Sequence, residues 1–214
     1  MSKMITVTVA LALVLLATGT FAQSTVSVSD GISLPKATTM APDSLTTQVF
    51  SLSNDVDLPN IDQVGTSVAL TIPLGGDVVA EGYLTTSLSD YSGDLMGGVK
   101  VLLIPATEKT HFVAVAPFAY TLRGGLNPSY GVAATYAKPG DKVSVTGTTW
   151  VTGGNLEGGG GLDVALTENI TAFGEYTSTD GLGIGALLIY DDLSGMIGTL
   201  EGDLYLNVGY SIGL

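Results

Sequence analysis

The last eleven residues of the chain, 204–214, constrain the fold more than any other stretch. Apolar residues occupy every even position, and small or polar residues occupy most of the odd positions. Side chains alternate across a β-strand, so this segment has one continuous apolar face and one small, polar face. A tilted strand crosses a bilayer in about 9–11 residues. The segment is therefore predicted to be a membrane-spanning β-strand whose even face contacts lipid.

The start of the chain is predicted to be a targeting segment. Lys3 supplies a positive charge, residues 4–16 form an apolar run, and residues 20–22 resemble a small-x-small cleavage site. We expect cleavage after Ala22, so that the mature chain begins at Gln23. An uncleaved transmembrane anchor is disfavoured, because the apolar run is short and no basic flank follows it.

The composition limits the classes of partner and of fold. Twenty Asp and Glu residues against seven Lys and Arg give a net charge of −13, which argues against nucleic acid because phosphate binding needs clustered cations. The chain has 29 glycines, no cysteine and only 13% charged residues. Without disulfides it must close by hydrogen bonding and packing. A closed barrel does so with no unpaired sheet edge, and its lipid-facing strands explain the low charge.

From about residue 46 onward, the chain consists of strand-like segments separated by Gly, Asn, Asp and Pro. The predicted strands are 46–57, 66–73, 77–88, 96–104, 111–121, 129–137, 142–151, 158–167, 170–178, 182–190 and 204–214, with a further short one near 195–200. The expected organisation is a signal peptide (1–22), an N-terminal arm or frayed strand (23–45) and a β-barrel domain (46–214).

Tight turns and longer loops alternate along this region. The predicted tight turns are 73–77, 138–142 and 167–169, and the predicted longer loops are 89–94, 124–129 and 152–160. Short turns at one end and longer loops at the other are typical of up-and-down barrels. We predict an all-β fold, an up-and-down antiparallel transmembrane β-barrel of about 8–12 strands, with 10 or 12 fitting best. Two segments, 112–120 and 185–190, are apolar on both faces and would also suit a β-sandwich core or a lumen filled by side chains.

The C-terminal third carries a resemblance to a known class. The segments in question are L-D-V-A-L-T-E-N-I-T-A-F-G-E-Y-T-S-T (162–179), L-G-I-G-A-L-L-I-Y (182–190) and L-N-V-G-Y-S-I-G-L (206–214). Together with the signal peptide, they resemble the strand–turn–strand endings of small bacterial outer-membrane barrels of the OmpA/OmpW-like type. The resemblance implies a barrel in the outer membrane, with outer-membrane lipids as partners, and it implies no particular activity.

Four charged residues fall on predicted inward faces and form a candidate lumen charge network: Glu81, Lys100, Asp163 and Glu175. Glu81 and Lys100 lie on adjacent strands and are expected to pair, either as a structural salt bridge or as a gate or selectivity element. Asp163 and Glu175 lie at equal distances from Asn169 and are expected to face each other. Two carboxylates that close would share a proton, bind a cation or recruit a lysine such as Lys100 or Lys142, unless both are solvated.

Other residues carry weaker signals. His111 is the single histidine of the chain, so it predicts neither a metal cluster nor a catalytic triad. The glycines at 153–154 and 158–161 precede no helix, which argues against a phosphate-binding loop, and they are interpreted as a flexible loop. Aromatic residues near strand ends are candidates for an interfacial girdle, with packing as the alternative. These are Tyr83, Tyr130, Tyr136, Trp150, Tyr176, Tyr190 and Tyr210.

The function that best fits these features is a non-enzymatic outer-membrane β-barrel, either structural or a narrow passive channel for small cations or solutes. We predict no catalytic, cofactor-binding or metal site and no nucleic-acid partner. One alternative is a secreted β-sandwich that acts as a binding or adhesion module. Another is an outer-membrane hydrolase, which would need a histidine or acidic cluster near the outer rim.

Overall fold

A computed structural model describes residues 34–37, 43–53, 64–87, 95–103, 113–122, 129–137 and 141–214. These residues form twelve antiparallel strands, and each strand pairs with its neighbours along the chain. The strands are β1 (Ser44–Ser53), β2 (Val64–Gly75), β3 (Val78–Ser87), β4 (Leu95–Leu102), β5 (Val113–Leu122), β6 (Ser129–Ala137), β7 (Val143–Thr152), β8 (Asn155–Ala165), β9 (Ile170–Thr177), β10 (Gly181–Tyr190), β11 (Leu193–Leu200) and β12 (Asp203–Gly213). No helix in the described part of the chain is long and apolar enough to cross a membrane.

The sheet closes on itself because β1 pairs with β12 as well as with β2. The predicted up-and-down antiparallel barrel is therefore confirmed, with twelve strands. The alternative of a β-sandwich is wrong, since a sandwich needs two separate sheets that pack face to face. The strands are 8 to 12 residues long, close to the length that a tilted strand needs to cross a bilayer.

The alternation of side chains in β12 separates an outer face from a lumen face. Val208 and Tyr210 point outward with 62% and 46% of their surface exposed, whereas Tyr205 and Asn207 point inward and are 0% and 7% exposed. The same holds in β3, where Leu84 faces out while Glu81 is buried in the lumen. The predicted phase of both strands is confirmed, so the barrel carries an apolar outer surface.

Two segments differ from the sequence prediction. The region near 195–200 forms a complete strand, β11, and this additional crossing returns the C-terminus to the end of the barrel where β1 begins. The predicted loop at 152–160 is wrong, because β7 and β8 are joined by a two-residue turn. Gly153 and Gly154 adopt φ values of 58° and 86° there, which glycine reaches without steric strain. Residues 158–161 consequently belong to β8.

The barrel has two ends, which we define by their connections. The terminal end holds the start of β1, the end of β12 and the turn at 191–192, and the far end holds the turns at 153–154 and 201–202. Tight turns therefore occur at both ends rather than at one. The predicted longer loops at 89–94 and 124–129 lie almost entirely outside the described residues.

Five of the seven candidate girdle residues are exposed on the outer surface near the strand ends. Tyr130 and Tyr176 lie toward the far end, and Tyr136, Tyr190 and Tyr210 lie toward the terminal end. Amphipathic aromatic rings at these two levels fit the interfacial girdles of a membrane barrel.

Candidate functional site: the barrel lumen

The lumen face of the wall is lined by hydroxyl and amide side chains that are buried and hydrogen-bonded. Asn207 Nδ2 donates to Gln48 Oε1 at 3.0 Å and to the Tyr205 hydroxyl at 3.1 Å. The hydroxyls of Thr135 and Thr146 form a further bond of 2.9 Å. These groups keep the interior polar on strands whose outer faces are apolar.

Glu81 and Lys100 form an ion pair inside the lumen wall. They are direct partners across β3 and β4, and Lys100 Nζ lies 3.8 Å from Glu81 Oε1. Their side chains are 0% and 1% exposed, respectively, so the pair lies in a region shielded from water, where removing one of the two charges is costly. The sequence placed these two residues on adjacent strands, and the register brings them together as expected.

Asp163 and Glu175 do not face each other. The register of β8 and β9 places Asp163 opposite Phe173 and Glu175 opposite Gly161. The reason lies in the turn, where the Thr167 hydroxyl accepts the backbone N–H groups of Asn169 and Ile170. This centres the hairpin one residue earlier than the sequence suggested, and a shift of one residue at the centre displaces cross-strand partners by two.

Asp163 has a different partner, which comes from the N-terminal arm. Lys36 Nζ donates to Asp163 Oδ1 at 2.6 Å, and Ser144 Oγ donates to Asp163 Oδ2 at 3.3 Å. The ammonium group of Lys36 also lies 5.4 Å from the centroid of the Phe173 ring, within the range of a cation–π contact. A lysine therefore neutralises this carboxylate, but it is Lys36 of the N-terminal arm rather than Lys100 or Lys142.

Residues 34–37 lie inside the lumen rather than forming a frayed strand. Leu34 is 0% exposed and Ala37 is 1% exposed. The backbone N–H of Ala37 donates to Thr135 Oγ1 at 3.2 Å. We call residues 34–37 the lumen segment. It contacts β6 through Ala37 and β8 through Leu34 and Lys36. The segment therefore lies against the inner surface of the wall between β6 and β8.

Apolar lumen side chains gather in two clusters. The larger one contains Ala37 of the lumen segment together with Tyr83, Phe118 and Trp150, and the smaller one contains Phe173, Leu200 and Tyr205. Tyr83 and Trp150, which were candidates for the girdle, point inward instead. The two-sided apolar character of β5 has the same explanation, because its inward residues pack in the larger cluster.

The far-end mouth carries acidic groups. Glu157 accepts hydrogen bonds from Trp150 Nε1 and from Thr179 Oγ1. Asp180 lies in the turn after β9, and its backbone N–H donates to Thr177 Oγ1 at 2.9 Å. Burial raises the pKa of Asp180 to about 6; the side-chain hydrogen bond with Thr177 lowers it, and the negative charge of Glu157 raises it. This mouth therefore holds a carboxyl group that titrates near neutral pH.

No cluster of three or more His, Cys, Asp or Glu residues that could hold a metal ion occurs among the residues that the structure describes. His111 lies outside the described residues, as do Asp90 and Asp94. Between the two mouths, the charged side chains in the described part of the lumen are three carboxylates and two lysines: Glu81, Asp163, Glu175, Lys36 and Lys100.

Sequence reasoning missed the lumen segment and the surface that receives it. The relevant signal was present in β8, where Gly159 and Gly161 occupy alternate positions on the inward face. Glycine inside a strand often marks the close approach of another backbone or of a ligand. This signal was ambiguous because Gly159 lay in the overlap between the predicted loop at 152–160 and the predicted strand at 158–167.

The barrel resembles solved outer-membrane proteins in fold. The KdgM porin matches with a TM-score of 0.57 and 10% identity over 80% of this chain and 99% of that chain. The KdgM porin in complex with disordered oligogalacturonate matches with a TM-score of 0.57 and 11% identity over the same shares. LpxR from Salmonella typhimurium has a TM-score of 0.46 and 12% identity, over 80% of this chain and 100% of that chain. No protein-family model and no curated protein matches the sequence. The chain therefore shares the fold of a porin-like outer-membrane barrel.

Proposed function

We propose that this chain is a non-enzymatic outer-membrane β-barrel that forms a narrow passive channel for small cations or solutes. The observation that carries the proposal is that most strands combine an apolar outer face with a lumen face that carries threonines, amides or charges. An interior built only for packing would need few of these polar groups, since burying them requires a partner for each one.

The width of the barrel supports a narrow passage. Eight strands leave an interior that side chains can fill, whereas 16–18 strands leave an aqueous channel. Twelve strands lie between these cases. The two lumen clusters and the lumen segment then occupy part of the remaining cross-section.

Cation preference is part of the proposal. The described lumen holds three carboxylates against two lysines, and both mouths are acidic. The acidic groups are Glu157, Asp180, Glu201 and Asp203 at the far end and Asp43, Asp77, Asp141, Glu168, Asp191 and Asp192 at the terminal end, where Lys142 is the one basic residue among those described. Rings of carboxylates favour cations over anions.

Location and export belong to the same proposal. The exposed apolar belt needs a lipid partner, because a water-soluble monomer rarely exposes so large an apolar surface. We infer export through the signal peptide at residues 1–22 and residence in an outer membrane. N-terminal sequencing of envelope material should begin at Gln23, and an intact Met1 would contradict this inference.

Planar-bilayer recording of the refolded protein tests the channel directly. We expect single-channel steps and a reversal potential in a salt gradient that reports cation preference. Glu175→Gln removes a carboxylate from the lumen, since this residue is 2% exposed and faces Gly161 and Gly183. The variant should show a weaker preference for cations.

Glu168→Gln is the matched control, because it makes the same change in an exposed turn at the terminal end. We expect it to shift the reversal potential less. Anion selectivity of the unmodified protein would contradict the proposal. A heat-modifiable, folded barrel that never conducts would favour the structural role instead.

A further inference from the structure

We propose that the lumen wall contains a binding site for the chain's own residues 34–37, and that this lumen segment is a detachable plug. The site is composed of a glycine groove, a carboxylate and an aromatic ring on β8 and β9, with a hydroxyl on β6. Its consequence for ion flow rests on the channel function proposed above, but its existence can be tested separately.

The glycine groove accepts Leu34. A Cβ atom added at Gly159 would lie 2.8 Å from Leu34 Cδ1, and one added at Gly161 would lie 2.6 Å from Leu34 Cδ2. Any larger residue on these inward positions would overlap the leucine. At Gly161 the absence of a side chain creates the space that Leu34 fills. At Gly159 a Cβ would also lie 2.6 Å from Tyr176 O, so the wall itself requires glycine at that position.

A pair of oppositely charged groups lies next to the groove. The ammonium group of Lys36 bonds the Asp163 carboxylate at 2.6 Å and lies over the Phe173 ring. Asp163 and Phe173 are direct cross-strand partners, so the hairpin presents an anion and an aromatic face side by side. Together they suit an alkylammonium group, and the lumen segment supplies one.

A backbone contact completes the site. Ala37 donates its N–H to Thr135 Oγ1, and the Thr135 hydroxyl is held by Thr146 on the next strand. The segment thus contacts the wall through an apolar side chain, a cation and a backbone donor within four residues. These three contacts together select the sequence and the orientation of residues 34–37. A segment that merely filled space in the lumen would not need all three of them.

The attachment is suited to release. The Lys36 and Asp163 side chains keep 12% and 19% of their surface exposed, respectively, whereas the Glu81–Lys100 pair in the wall is sealed. The lumen segment also contributes no strand to the barrel. It can therefore leave the wall without breaking a single pair of the sheet, and its departure would widen the passage along β6, β8 and β9.

Cysteine labelling tests the plug, and the chain contains no native cysteine to interfere. Ala37→Cys places one thiol on the lumen segment, where Ala37 is 1% exposed, and leaves the Thr135 hydroxyl in place to accept the backbone N–H of residue 37. A small membrane-impermeant thiol reagent should label it slowly in the refolded protein. Adding Lys36→Glu should accelerate labelling at least about tenfold, equivalent to about 1.4 kcal/mol in the docking equilibrium, and should raise conductance. Adding Asp163→Lys to that variant should restore slow labelling.

Two further variants test whether faster labelling reports release of the lumen segment. Lys142→Glu reverses the same charge at an exposed position at the terminal end and should leave the labelling rate unchanged. Leu34→Gln changes no charge and should accelerate labelling, because a polar amide replaces the apolar group that fills the groove. A heat-modifiable gel shift confirms that each barrel is folded, which is expected because residues 34–37 lie outside all twelve strands.

The outcomes separate the plug from the channel. Faster labelling with higher conductance supports both, and faster labelling without conductance in any variant supports the plug while contradicting the channel function. Equal labelling rates in Lys36→Glu, Leu34→Gln and Lys142→Glu would overturn the plug. Failure of Asp163→Lys to slow the labelling of Lys36→Glu would overturn the assigned ion pair.

Discussion

The described residues of the lumen form two ion pairs, which differ in the parts of the molecule that they join. Glu81 and Lys100 connect two neighbouring strands of the wall and are completely buried, whereas Lys36 and Asp163 connect the lumen segment to the wall and remain partly exposed. The first pair is imposed by the hairpin register, and the second joins residues 127 positions apart. The Glu81–Lys100 pair thus contributes to the stability of the barrel wall. The Lys36–Asp163 pair instead determines where the lumen segment lies.

The largest expected effect is loss of the wall pair. Lys100→Met leaves the Glu81 carboxylate buried without its cation, and removal of one partner of a buried pair costs about 3–5 kcal/mol. Lys36→Met should reduce the free energy of unfolding much less, because Asp163 can recover water. Urea unfolding of the refolded protein in lipid vesicles measures both.

A double variant controls for the volume change at the wall pair. Glu81→Gln combined with Lys100→Met removes both charges and should recover most of the loss, since no uncompensated charge is left in the lumen. Equal destabilisation by Lys100→Met and Lys36→Met would show that the two ion pairs contribute equally to the free energy of unfolding, contrary to this comparison.

The next effect concerns the two faces of a single strand. Val208→Arg places a charge on the lipid face of β12 and should cost about 2–4 kcal/mol near the middle of the bilayer. Ser211→Arg points toward the lumen, where Ser211 bonds Thr46 at 2.6 Å, and should be tolerated better. Unfolding in vesicles compares them, and equal costs would mean that the assigned inner and outer faces are wrong.

A smaller change addresses the lumen segment alone. Gly161→Ala places a methyl group against Leu34 and should loosen residues 34–37, so that trypsin cleaves after Lys36 faster than in the unmodified protein. Gly160→Ala is the control, because Gly160 faces outward and a Cβ there meets only Thr146 O at 3.4 Å. Similar cleavage of both variants would contradict the groove.

The smallest effect is a dependence of the far-end turn on pH. The folded turn raises the pKa of Asp180 from 3.8 to about 6, so it favours the protonated carboxyl. The turn should be most stable below about pH 4 and should lose that contribution as the pH rises through 6. Hydrogen exchange at residues 178–181 measures this, and Asp180→Asn should abolish the dependence. A stability that instead rises between pH 4 and 6 would refute the assignment.

The barrel wall was predictable from the sequence because each strand and each hairpin is specified by residues that are close together in the chain. Alternation in β3 and β12 sets their phase, and the hairpin that joins β3 to β4 brings Glu81 and Lys100 together once the strands are recognised. The complete strand β11 was harder to recognise, since its eight residues include two glycines and alternate weakly.

The site was less predictable because it depends on one turn and on one distant segment. The Thr167 hydroxyl moved the hairpin centre by a single residue, which separated Asp163 from Glu175. The lumen segment has no periodicity that would reveal its position, since it is neither strand nor helix. Only the paired glycines of β8 indicated that something approaches the wall there.

The pairing of β1 with β12 has a consequence for assembly. Thr46 and Ser211, which bond across this seam, are 165 residues apart, and Gln48 and Asn207 are 159 apart. Contacts of such separation form slowly because a long loop must close before they stabilise anything. Until the last strand arrives, the nascent sheet has two open edges that can pair with other chains. The seam is therefore the step at which an assembly factor would have most influence, and at which a truncated chain would aggregate.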